Sequence, residues 1–405
     1  MEKSTRRMDW IVCLGGEDWW YHSHGHFDIQ LMKQFTAARN VLYICSIGMR
    51  MPSLTRDKMF WTRLRRKLRS ILHLLKQVDT SLYVYSPLPL PFYGSRFGRW
   101  LNRIVLQLQL RIVYRILKIS EPLLWINTPT AWPVAAPLPY NGLVYQRTDD
   151  YASYDFENFN AGYVKSLDIE LMKKADIVIH VSDELHKEAR EYTSKSLLVI
   201  QGVDERFFRC SSEEPADIKN IPRPIIGYVG GMDRYKFDTR LIYSVAEGLP
   251  DCSFVLIGAP NPNTSILEEL SNVYFLGSRN HELIPDYVCS FDVCMVPTAL
   301  TEWGLKCRPL KLMEYMATGR PVVASPTPAS AAFSERVIIA EDVPSWIYGI
   351  RLALRRNQVE GPELVASAFL ESWKSLAIKL WDEMCSRGLV ECALHGKETQ
   401  ERGNT

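Results

Sequence analysis

Short runs of apolar residues alternate with longer amphipathic stretches along the whole chain. The runs are rich in β-branched side chains and are followed by Gly, Pro, Ser or Asn, a pattern typical of buried parallel strands with crossover helices. In the first half they lie at residues 10–14, 41–45, 82–86, 123–126, 143–145, 177–181 and 197–200. In the second half they lie at residues 225–229, 254–257, 273–276, 293–296, 322–324 and 337–339. The two series predict an α/β protein with two doubly wound, Rossmann-like domains.

The boundary between the two domains is predicted from a change in composition. Ser, Glu and Pro accumulate between the two series, and such a stretch is typical of a linker. We therefore expect one domain at residues 1–212 and a second at residues 213–345. Residues 346–390 have a helical pattern, whereas the polar tail at residues 391–405 is expected to be disordered.

Bulk composition is that of an ordinary globular protein. The chain has 405 residues, which is long enough for two domains with full cores. It is 47% hydrophobic and 23% charged, with a formal net charge of +2. No apolar run is long enough to span a membrane, and the run at residues 10–14 is too short for a signal peptide. The nine cysteines are scattered without a C-x-x-C pair, so we expect neither a disulfide framework nor a zinc site, and a cytoplasmic protein.

The most informative motif lies near the end of the second series. Lys311 and Glu314 are one helical turn apart, and Gly319 ends the helix before a buried strand. Both side chains therefore point the same way from the end of a βα unit, where open α/β sheets bind ligands. A cation suits a phosphate and a carboxylate suits a pair of sugar hydroxyls. An isolated Lys-x-x-Glu would be an ordinary surface ion pair, but the glycine and strand that follow favour a nucleotide-sugar pocket.

Residues 311–323, Lys-x-x-Glu-Tyr-x-Ala-x-Gly-x-Pro-Val-Val, resemble the donor-binding motif of GT-B glycosyltransferases of the family 4 type. The resemblance is to the branch that builds bacterial surface polysaccharides such as teichuronic acids. It implies two Rossmann-like domains facing across a cleft, with the C-terminal helices packing back towards the N-terminal domain. It also implies that Glu314 holds the donor ribose hydroxyls. The family's second glutamate falls on Lys306, so Glu302, followed by Trp-Gly, is the nearest candidate for the sugar-ring contact.

A glycine-rich turn is expected at the phosphate end of this pocket. Gly230 and Gly231 follow a strand and precede a helix, an arrangement that lets the backbone approach a diphosphate. The turn resembles the family's Gly-Arg-x-x-x-x-Lys element, which implies that Lys236 neutralises the leaving diphosphate. Gly231 stands where the family has arginine, so another residue must supply the second positive charge. Arg308 and Lys311 are the preferred candidates, and Arg234, which could equally be a solvated turn residue, is the alternative. Gly258 resembles the family's next strand-end glycine, close to the nucleotide.

The loop after the first strand is a candidate acceptor site. Gly15 and Gly16 are followed by an aromatic segment containing His22 and His24 within a His-x-His-x-His pattern. No partnering acidic and histidine set occurs at ligand spacing, so we expect no metal there. A polar, aromatic loop lining the acceptor side is the preferred interpretation, and an inert surface loop remains the alternative for each histidine.

Asp149 and Asp150 end the strand near residue 145. They resemble the Tyr-x-x-x-Asp-Asp element of the polysaccharide branch and fall where wider family members carry a His-Asp pair facing the reacting sugar. This implies that Asp149 lies near the acceptor hydroxyl or the donor sugar. The alternative for Asp150 is helix capping.

Two stretches are strongly basic. Residues 50–76 hold nine Lys or Arg against one Asp, with Trp61, Leu64, Leu68, Ile71 and Leu75 at helical spacing. Residues 96–118 hold six basic residues and no acid. Basic amphipathic helices favour the surface of an anionic membrane. Ordinary domain helices with solvated basic faces are the alternative, and nucleic acid is disfavoured because no binding motif or stacking aromatics accompany the charge.

These observations and the family resemblance predict a glycosyltransferase without a cofactor. The resemblance implies a hexosyltransferase type that retains the anomeric configuration and needs no divalent metal. The enzyme would move a sugar from a nucleoside-diphosphate donor to a polysaccharide or lipid-linked glycan at the inner face of the membrane. A nucleotide-sugar 2-epimerase shares the fold, but the family-type motif around Glu314 argues against it. A non-catalytic GT-B-like subunit or glycan-binding scaffold is the other alternative, favoured by the missing arginine and the shifted glutamate.

Overall fold

A computed structural model describes residues 10–20, 26–47, 74–90, 96–151, 161–199, 202–208, 210, 214–259, 261–306, 309–360 and 372–391. The chain forms two compact units. The first contains residues Met1–Ile200 and Lys374–Thr405, and the second contains Gln201–Trp373. The α/β fold class expected from the sequence is confirmed, since each unit has a largely parallel sheet with helices as crossovers.

The first unit has an eight-stranded sheet. Its strands are β1 Trp10–Leu14, β2 Asn40–Ile44, β3 Leu75–Asp79, β4 Leu82–Tyr85, β5 Leu123–Ile126, β6 Gly142–Arg147, β7 Ile177–His180 and β8 Ser196–Leu198. They are ordered β3-β4-β2-β1-β5-β6-β7-β8, and every pair is parallel except β3 with β4. The chain moves outward from β1 and returns to its other side at β5. The loops after β1 and β5 therefore diverge at a topological switch point, where open sheets bind ligands.

Helices cover this sheet and complete its core. They are α1 Phe27–Phe35, α2 Arg96–Ile116, α3 Trp132–Ala135, α4 Ala161–Lys174, α5 Asp183–Ala189 and, near the C-terminus, α12 Trp373–Ser386. The central strands are buried on both faces, because crossover helices cover both sides of a parallel sheet. The ring of Phe35 packs against those of Trp125 and Trp381 at 5.7 and 5.5 Å, which ties α12 to α1 and the sheet.

The second unit has a six-stranded, fully parallel sheet. Its strands are β9 Ile225–Val229, β10 Ser253–Ile257, β11 Val273–Gly277, β12 Val293–Val296, β13 Val322–Ala324 and β14 Val337–Ile339. Their order is β11-β10-β9-β12-β13-β14, so the switch point lies between β9 and β12. The helices are α6 Thr239–Glu247, α7 Ile284–Cys289, α8 Glu302–Lys306, α9 Leu310–Ala317, α10 Pro328–Ala331 and α11 Val343–Glu360.

The last helices are divided between the two units. Trp346 and Ile350 of α11 lie in the same buried cluster as Ile242 of α6, so α11 packs within the second unit. The sequence had assigned this segment to helices packing towards the N-terminal domain, but only α12 has most of its residues in the first unit. The units divide at Gln201, whereas the composition change had placed the boundary at residue 213.

Strand β3 was not expected from the sequence. Leu75 had been assigned to the helical row of the basic stretch at residues 50–76, yet it begins a strand that pairs antiparallel with β4. The helical spacing did not predict this strand, because an edge strand can form wherever a neighbouring strand pairs with it. A tight turn at Thr80 brings β3 beside β4. Residues 50–73 of this stretch lie outside the described residues.

A disulfide joins Cys210 to Cys289, a pair that the scattered cysteines of the sequence did not indicate. The two residues are 79 positions apart in sequence, but their Cα atoms are 5.6 Å apart because the segment before β9 runs beside α7. The scattered cysteines had favoured a reducing compartment, in which disulfides are rare. With this disulfide present, the number and spacing of the cysteines do not indicate the compartment of the protein. Within the described ranges, no helix combines the length and apolar character needed to cross a bilayer.

Candidate functional site

The loops that follow β9 and β12 meet at the switch point of the second sheet. The backbone N–H of Asp238 donates to the carbonyl of Pro297 at 2.9 Å, and the Thr301 hydroxyl donates to the carbonyl of Tyr235 at 3.2 Å. The rings of Tyr235 and Trp303 pack edge to face at 5.3 Å. These contacts bring the glycine turn and the α8 loop, which are about 70 residues apart in sequence, into one site.

Glycine is required at two positions of this site. Gly230 has φ +141°, and a Cβ there would lie 2.4 Å from Nζ of Lys311. At Gly258 a Cβ would lie 2.2 Å from the carbonyl oxygen of Gly230. Gly231 is exposed, and a Cβ there would lie 4.0 Å from Cδ of Lys236. The three glycines and the two lysines singled out from the sequence therefore surround one small volume.

Lys311 is held by an aromatic residue that the sequence did not indicate. Its Nζ donates a hydrogen bond to the Tyr228 hydroxyl at 2.6 Å and lies 3.9 Å from the centre of that ring. Burial and the positive charge of Lys236 lower the pKa of Lys311 to about 7, against the opposing effect of Glu314. A diphosphate arriving here would remove much of this penalty by supplying negative charge.

Lys236 is the second cation of the site. Its Nζ lies 5.5 Å from the ring centre of Tyr235 and 5.3 Å from that of Trp303. Two aromatic rings thus flank the ammonium group and restrict where it can point. The electrostatic effect of Lys236 on Lys311 shows that the two charges act on the same region.

Glu314 lies one turn after Lys311 on α9, but the two side chains are not paired. Lys311 binds Tyr228, whereas Oε1 of Glu314 lies 3.7 Å from Nε2 of His281. The alternative interpretation of an ordinary surface ion pair along the helix is therefore wrong. Helix α9 is anchored by the next residue, because the Tyr315 hydroxyl accepts a hydrogen bond from the N–H of Val229 at 2.6 Å.

Two further residues, Glu302 and Arg308, were predicted to belong to this site. Glu302 is exposed at the first position of α8. The backbone N–H of Gly304 donates to the Thr301 hydroxyl, and this hydrogen bond stabilises the start of the helix. A Cβ at Gly304 would lie 2.2 Å from the carbonyl of Ala299, so α8 packs closely on the loop before it. Arg308, the candidate second cation, lies outside the described residues.

The switch point of the first sheet carries a buried carboxylate that was missed from the sequence. Oδ2 of Asp28 accepts hydrogen bonds from the N–H of Gly16 at 3.0 Å, the Tyr43 hydroxyl at 2.9 Å and Nδ2 of Asn127 at 3.0 Å. A Cβ at Gly15 would lie 2.1 Å from the Tyr43 hydroxyl oxygen. The Gly15-Gly16 turn is therefore fixed by residues from α1, β2 and the end of β5. No local pattern marks Asp28, which occupies the first turn of a helix like many acids.

Asp149 and Asp150 follow β6 on the same edge of this sheet. Asp150 is buried and Asp149 is partly exposed. Burial and the charge of Asp149 raise the pKa of Tyr151, and Asp28 adds a smaller effect in the same direction. These electrostatic effects put Asp149 and Asp28 near one tyrosine. The predicted acid and the missed one therefore both influence the Tyr151 side chain at this edge of the first sheet.

A buried ion pair lies beneath the two acids. Nε of Arg147 donates to Asp168 at 3.0 Å and Nη2 donates to Glu188 at 2.9 Å. The Tyr145 hydroxyl also donates to Asp168, at 2.6 Å. This network fixes the end of β6 to α4 and α5, and so positions the strand end that carries Asp149.

Two of the predicted acceptor-side residues cannot be located. His22 and His24 lie outside the described residues. Among the residues that are described, no group of three or more His, Cys, Asp or Glu is arranged to hold a metal ion.

Comparison with known proteins gives a family match within the second unit and a likeness in fold for nearly the whole chain. The family model "Glycosyl transferases group 1" matches residues 223–355, which include β9 and α9. The "Putative teichuronic acid biosynthesis glycosyltransferase TuaH" of Bacillus subtilis (strain 168) is 27% identical over 225 residues. That match covers 51% of this chain and 56% of the relative, so only about half of the relative's length is matched.

Solved structures match over nearly the whole chain. Sucrose-phosphate synthase (tll1590) from Thermosynechococcus elongatus has a TM-score of 0.70 at 16% identity, covering 94% of this chain and 99% of that one. Anabaena Alr3699/HepE in complex with UDP-glucose has a TM-score of 0.62 at 16% identity, covering 93% and 99%. An alpha,alpha-trehalose-phosphate synthase (UDP-forming) from Burkholderia vietnamiensis has a TM-score of 0.64 at 14% identity, covering 94% and 98%. The predicted resemblance is therefore confirmed at the level of the fold: the chain has the GT-B fold, and the glycosyl transferases group 1 model matches most of its second unit.

Proposed function

We propose that this protein is a glycosyltransferase that uses a nucleoside-diphosphate sugar as donor. One observation carries the proposal: Lys236, Lys311 and the turn at Gly230 converge at the switch point of the second sheet. Two cations beside a close-approach backbone turn suit a diphosphate, and Glu314 nearby suits the ribose hydroxyls. The UDP-glucose complex of the HepE neighbour supports a UDP-sugar as the first donor to test.

The chemistry follows from where charge develops. As the glycosidic bond to the diphosphate breaks, negative charge builds on the leaving oxygen, and Lys236 and Lys311 stabilise it. Glu314 orients the nucleoside, and Glu302 contacts the sugar ring. We propose a retaining reaction without a divalent metal, in which the leaving phosphate accepts the proton of the acceptor hydroxyl. Such a step needs no separate general base.

The acceptor is proposed to be a polysaccharide or a lipid-linked glycan. The match to the teichuronic acid relative supports this class, and so do the polar residues at the switch point of the first sheet. Asp149 and Gly16 are the residues proposed to face the acceptor, with Asp28 holding the turn in place. The group proposed to be transferred is a hexosyl group.

Binding and turnover of the donor test this function. Purified protein is screened by thermal shift and calorimetry against UDP, GDP, ADP, CMP and dTDP without metal. A ligand at a hundred times its dissociation constant stabilises the native state by about 2.7 kcal/mol, which is readily measured. We expect one nucleoside diphosphate to raise the melting temperature in the wild type but not in Lys236→Ala. If none of them shifts the melt, the proposal is wrong.

Hydrolysis of the sugar donor separates an enzyme from a scaffold. A glycosyltransferase without its acceptor releases sugar slowly from the matching nucleotide sugar, whereas a non-catalytic subunit releases none. Proton NMR of the freshly transferred sugar then gives the anomeric configuration. Binding without hydrolysis or transfer favours the scaffold, and an inverted product contradicts the proposed retention.

We also propose that the protein docks on the inner face of an anionic membrane through α2. Phe97, Trp100, Leu108, Ile112 and Ile116 are 47% to 68% exposed on this helix. Arg99, Arg103, Arg111 and Arg115 lie on the same helix, which has no acidic residue. An apolar row bordered by arginines suits a bilayer with anionic headgroups, since each basic residue near such a surface contributes about 1 kcal/mol.

Vesicle co-sedimentation tests the membrane contact. We expect binding to vesicles containing phosphatidylglycerol but not to pure phosphatidylcholine, with weaker binding at high salt because exposed charges are screened. Ile112→Ser combined with Ile116→Ser should reduce binding without changing the melting temperature. Binding that persists in the double variant would show that α2 is not the contact. Exposed Tyr348→Ser on α11 is the matched control.

A further inference from the structure

His281 and Glu314 form a nearly buried pair of titratable side chains in the second unit. Their side chains are 11% and 12% exposed, and Nε2 of the histidine lies 3.7 Å from Oε1 of the glutamate. Nε2 is buried, and within the described part of the chain no atom forms a hydrogen bond with it. A buried polar nitrogen generally has a partner, and the Glu314 carboxylate is the group that faces it.

The surroundings of His281 fix the ring in this orientation. The residue begins a short 3-10 helix after β11, and the Asn280 side chain caps that helix by accepting from the N–H of Glu282. Phe207 packs edge to face with the imidazole at 6.5 Å. The nearby carboxylate of Asp204 is occupied by Arg206, at 2.7 Å. The ring is therefore held so that Nε2 faces α9.

Among the residues that the structure describes, Glu314 has no ion pair or hydrogen bond with a side chain other than His281. Lys311, the cation one turn away on the same helix, donates to Tyr228 instead. A carboxylate has about four acceptor positions, so one hydrogen bond from His281 leaves three for a ligand. A movement of less than about 1 Å would bring the 3.7 Å separation to hydrogen-bonding distance.

We propose that His281 is a positioning residue of the donor site, a role that rests on the proposed function. With its proton on Nε2, His281 donates to Oε1 of Glu314 and holds the carboxylate in the rotamer that accepts from the ribose hydroxyls. Without this donor, the carboxylate is free to rotate and loses its alignment with the ribose, while the phosphate contacts of Lys236 and Lys311 remain. The specific consequence is a loss of discrimination between ribose and 2′-deoxyribose.

The test compares UDP, GDP and ADP with their 2′-deoxy counterparts by calorimetry. We expect the wild type to prefer the ribonucleotide of the base that it binds. His281→Leu and His281→Asn should reduce this preference about tenfold, the size expected for one hydrogen bond to a charged group. His281→Gln should retain it, because the glutamine amide nitrogen reaches about as far as Nε2. Glu282→Gln, an exposed neighbour on the same turn, is the control expected to retain it fully.

The outcomes separate this inference from the proposed function. If Glu314→Ala loses the ribose preference while His281→Leu and His281→Asn both keep it, His281 is not a positioning residue, although the donor site stands. If His281→Gln behaves like His281→Leu, a donated hydrogen bond is not the cause, which also overturns the inference. If the wild type binds neither these six nucleotides nor CMP or dTDP, the proposed function fails and the role of His281 fails with it. If it binds dTDP alone, the proposed function stands and the role of His281 in selecting ribose is overturned.

Discussion

The ammonium group of Lys311 lies 2.6 Å from the hydroxyl oxygen of Tyr228 and 3.9 Å from the centre of its ring. The Tyr228 hydroxyl in turn donates to the carbonyl of Gly231 at 2.7 Å. A cation, an aromatic ring and the glycine turn are thereby linked in one chain of contacts. This places the charge beside the backbone that would approach a diphosphate, and the pKa of Lys311 is lowered to about 7 by burial and by Lys236.

Binding of a nucleoside diphosphate is expected to take up a proton near pH 8. Lys311 is then largely neutral in the free protein, and the negative ligand raises its pKa, so affinity should fall as pH rises above about 7. Calorimetry in two buffers with different ionisation enthalpies measures the uptake. Lys311→Met should abolish it, whereas exposed Lys219→Met should not. Equal uptake in the Lys311 variant would show that another group titrates.

The same lysine makes the stability of the ligand-free protein depend on pH. Its folded pKa lies below the unfolded value of about 10.4, so the unfolded chain binds more protons between about pH 7 and pH 10. The free energy of unfolding should therefore rise through that window in the wild type. Urea titrations of Lys311→Met should show a smaller rise, and parallel curves for the two proteins would contradict the assignment.

Alanine at Gly230 should weaken nucleotide binding much more than alanine at Gly231. Gly230 has a positive φ and leaves no room for a Cβ beside Lys311, whereas the nearest neighbour of a Cβ at Gly231 is Asp233 Oδ2 at 3.3 Å. We expect about a tenfold or larger loss of affinity for Gly230→Ala, corresponding to about 1.4 kcal/mol. The melting temperature of each variant controls for folding, and equal losses would mean that the turn does not discriminate between the positions.

Glu302→Gln should lower turnover without changing nucleoside-diphosphate affinity. Glu302 is exposed at the start of α8, and its proposed contact is with the sugar rather than the nucleotide. Loss of a group that acts on the reacting sugar typically costs about tenfold or more in kcat. Steady-state hydrolysis or transfer rates, with calorimetry alongside, give both numbers. An unchanged kcat would make Glu302 an ordinary surface residue.

Asp28→Asn should destabilise the first unit. Oδ2 accepts from Gly16, Tyr43 and Asn127, and Oδ1 accepts from the N–H of Ile29. The amide nitrogen of an asparagine would therefore oppose at least one donor in either orientation. The expected cost is about 1–3 kcal/mol, measured by denaturant unfolding. Asp79→Asn, at an exposed turn, should stay within about 0.5 kcal/mol of the wild type. A stable Asp28 variant would mean that the network is not required for folding.

Local patterns were sufficient to predict most strands and to single out several residues that meet at the switch point of the second sheet. Every strand expected from apolar runs is present, because a strand buried on both faces leaves a continuous apolar signature. The Gly230 turn, Lys236, Lys311 and Glu314 could also be identified, since each belongs to a motif within one βα unit. By contrast, β3 was missed, because an exposed edge strand carries little apolar signature.

What the sequence alone determined about this protein is therefore the order of its elements and the residues that each loop presents. Only the tertiary structure decided which of those residues meet: Lys311 with Tyr228, Glu314 with His281, Asp28 with Asn127, and Cys210 with Cys289. The physical reason is that hydrophobic periodicity reports how a segment faces the core, which is a local property. Partners that are 33 to 99 residues apart in the chain are chosen by how the segments pack, and no local pattern encodes that choice.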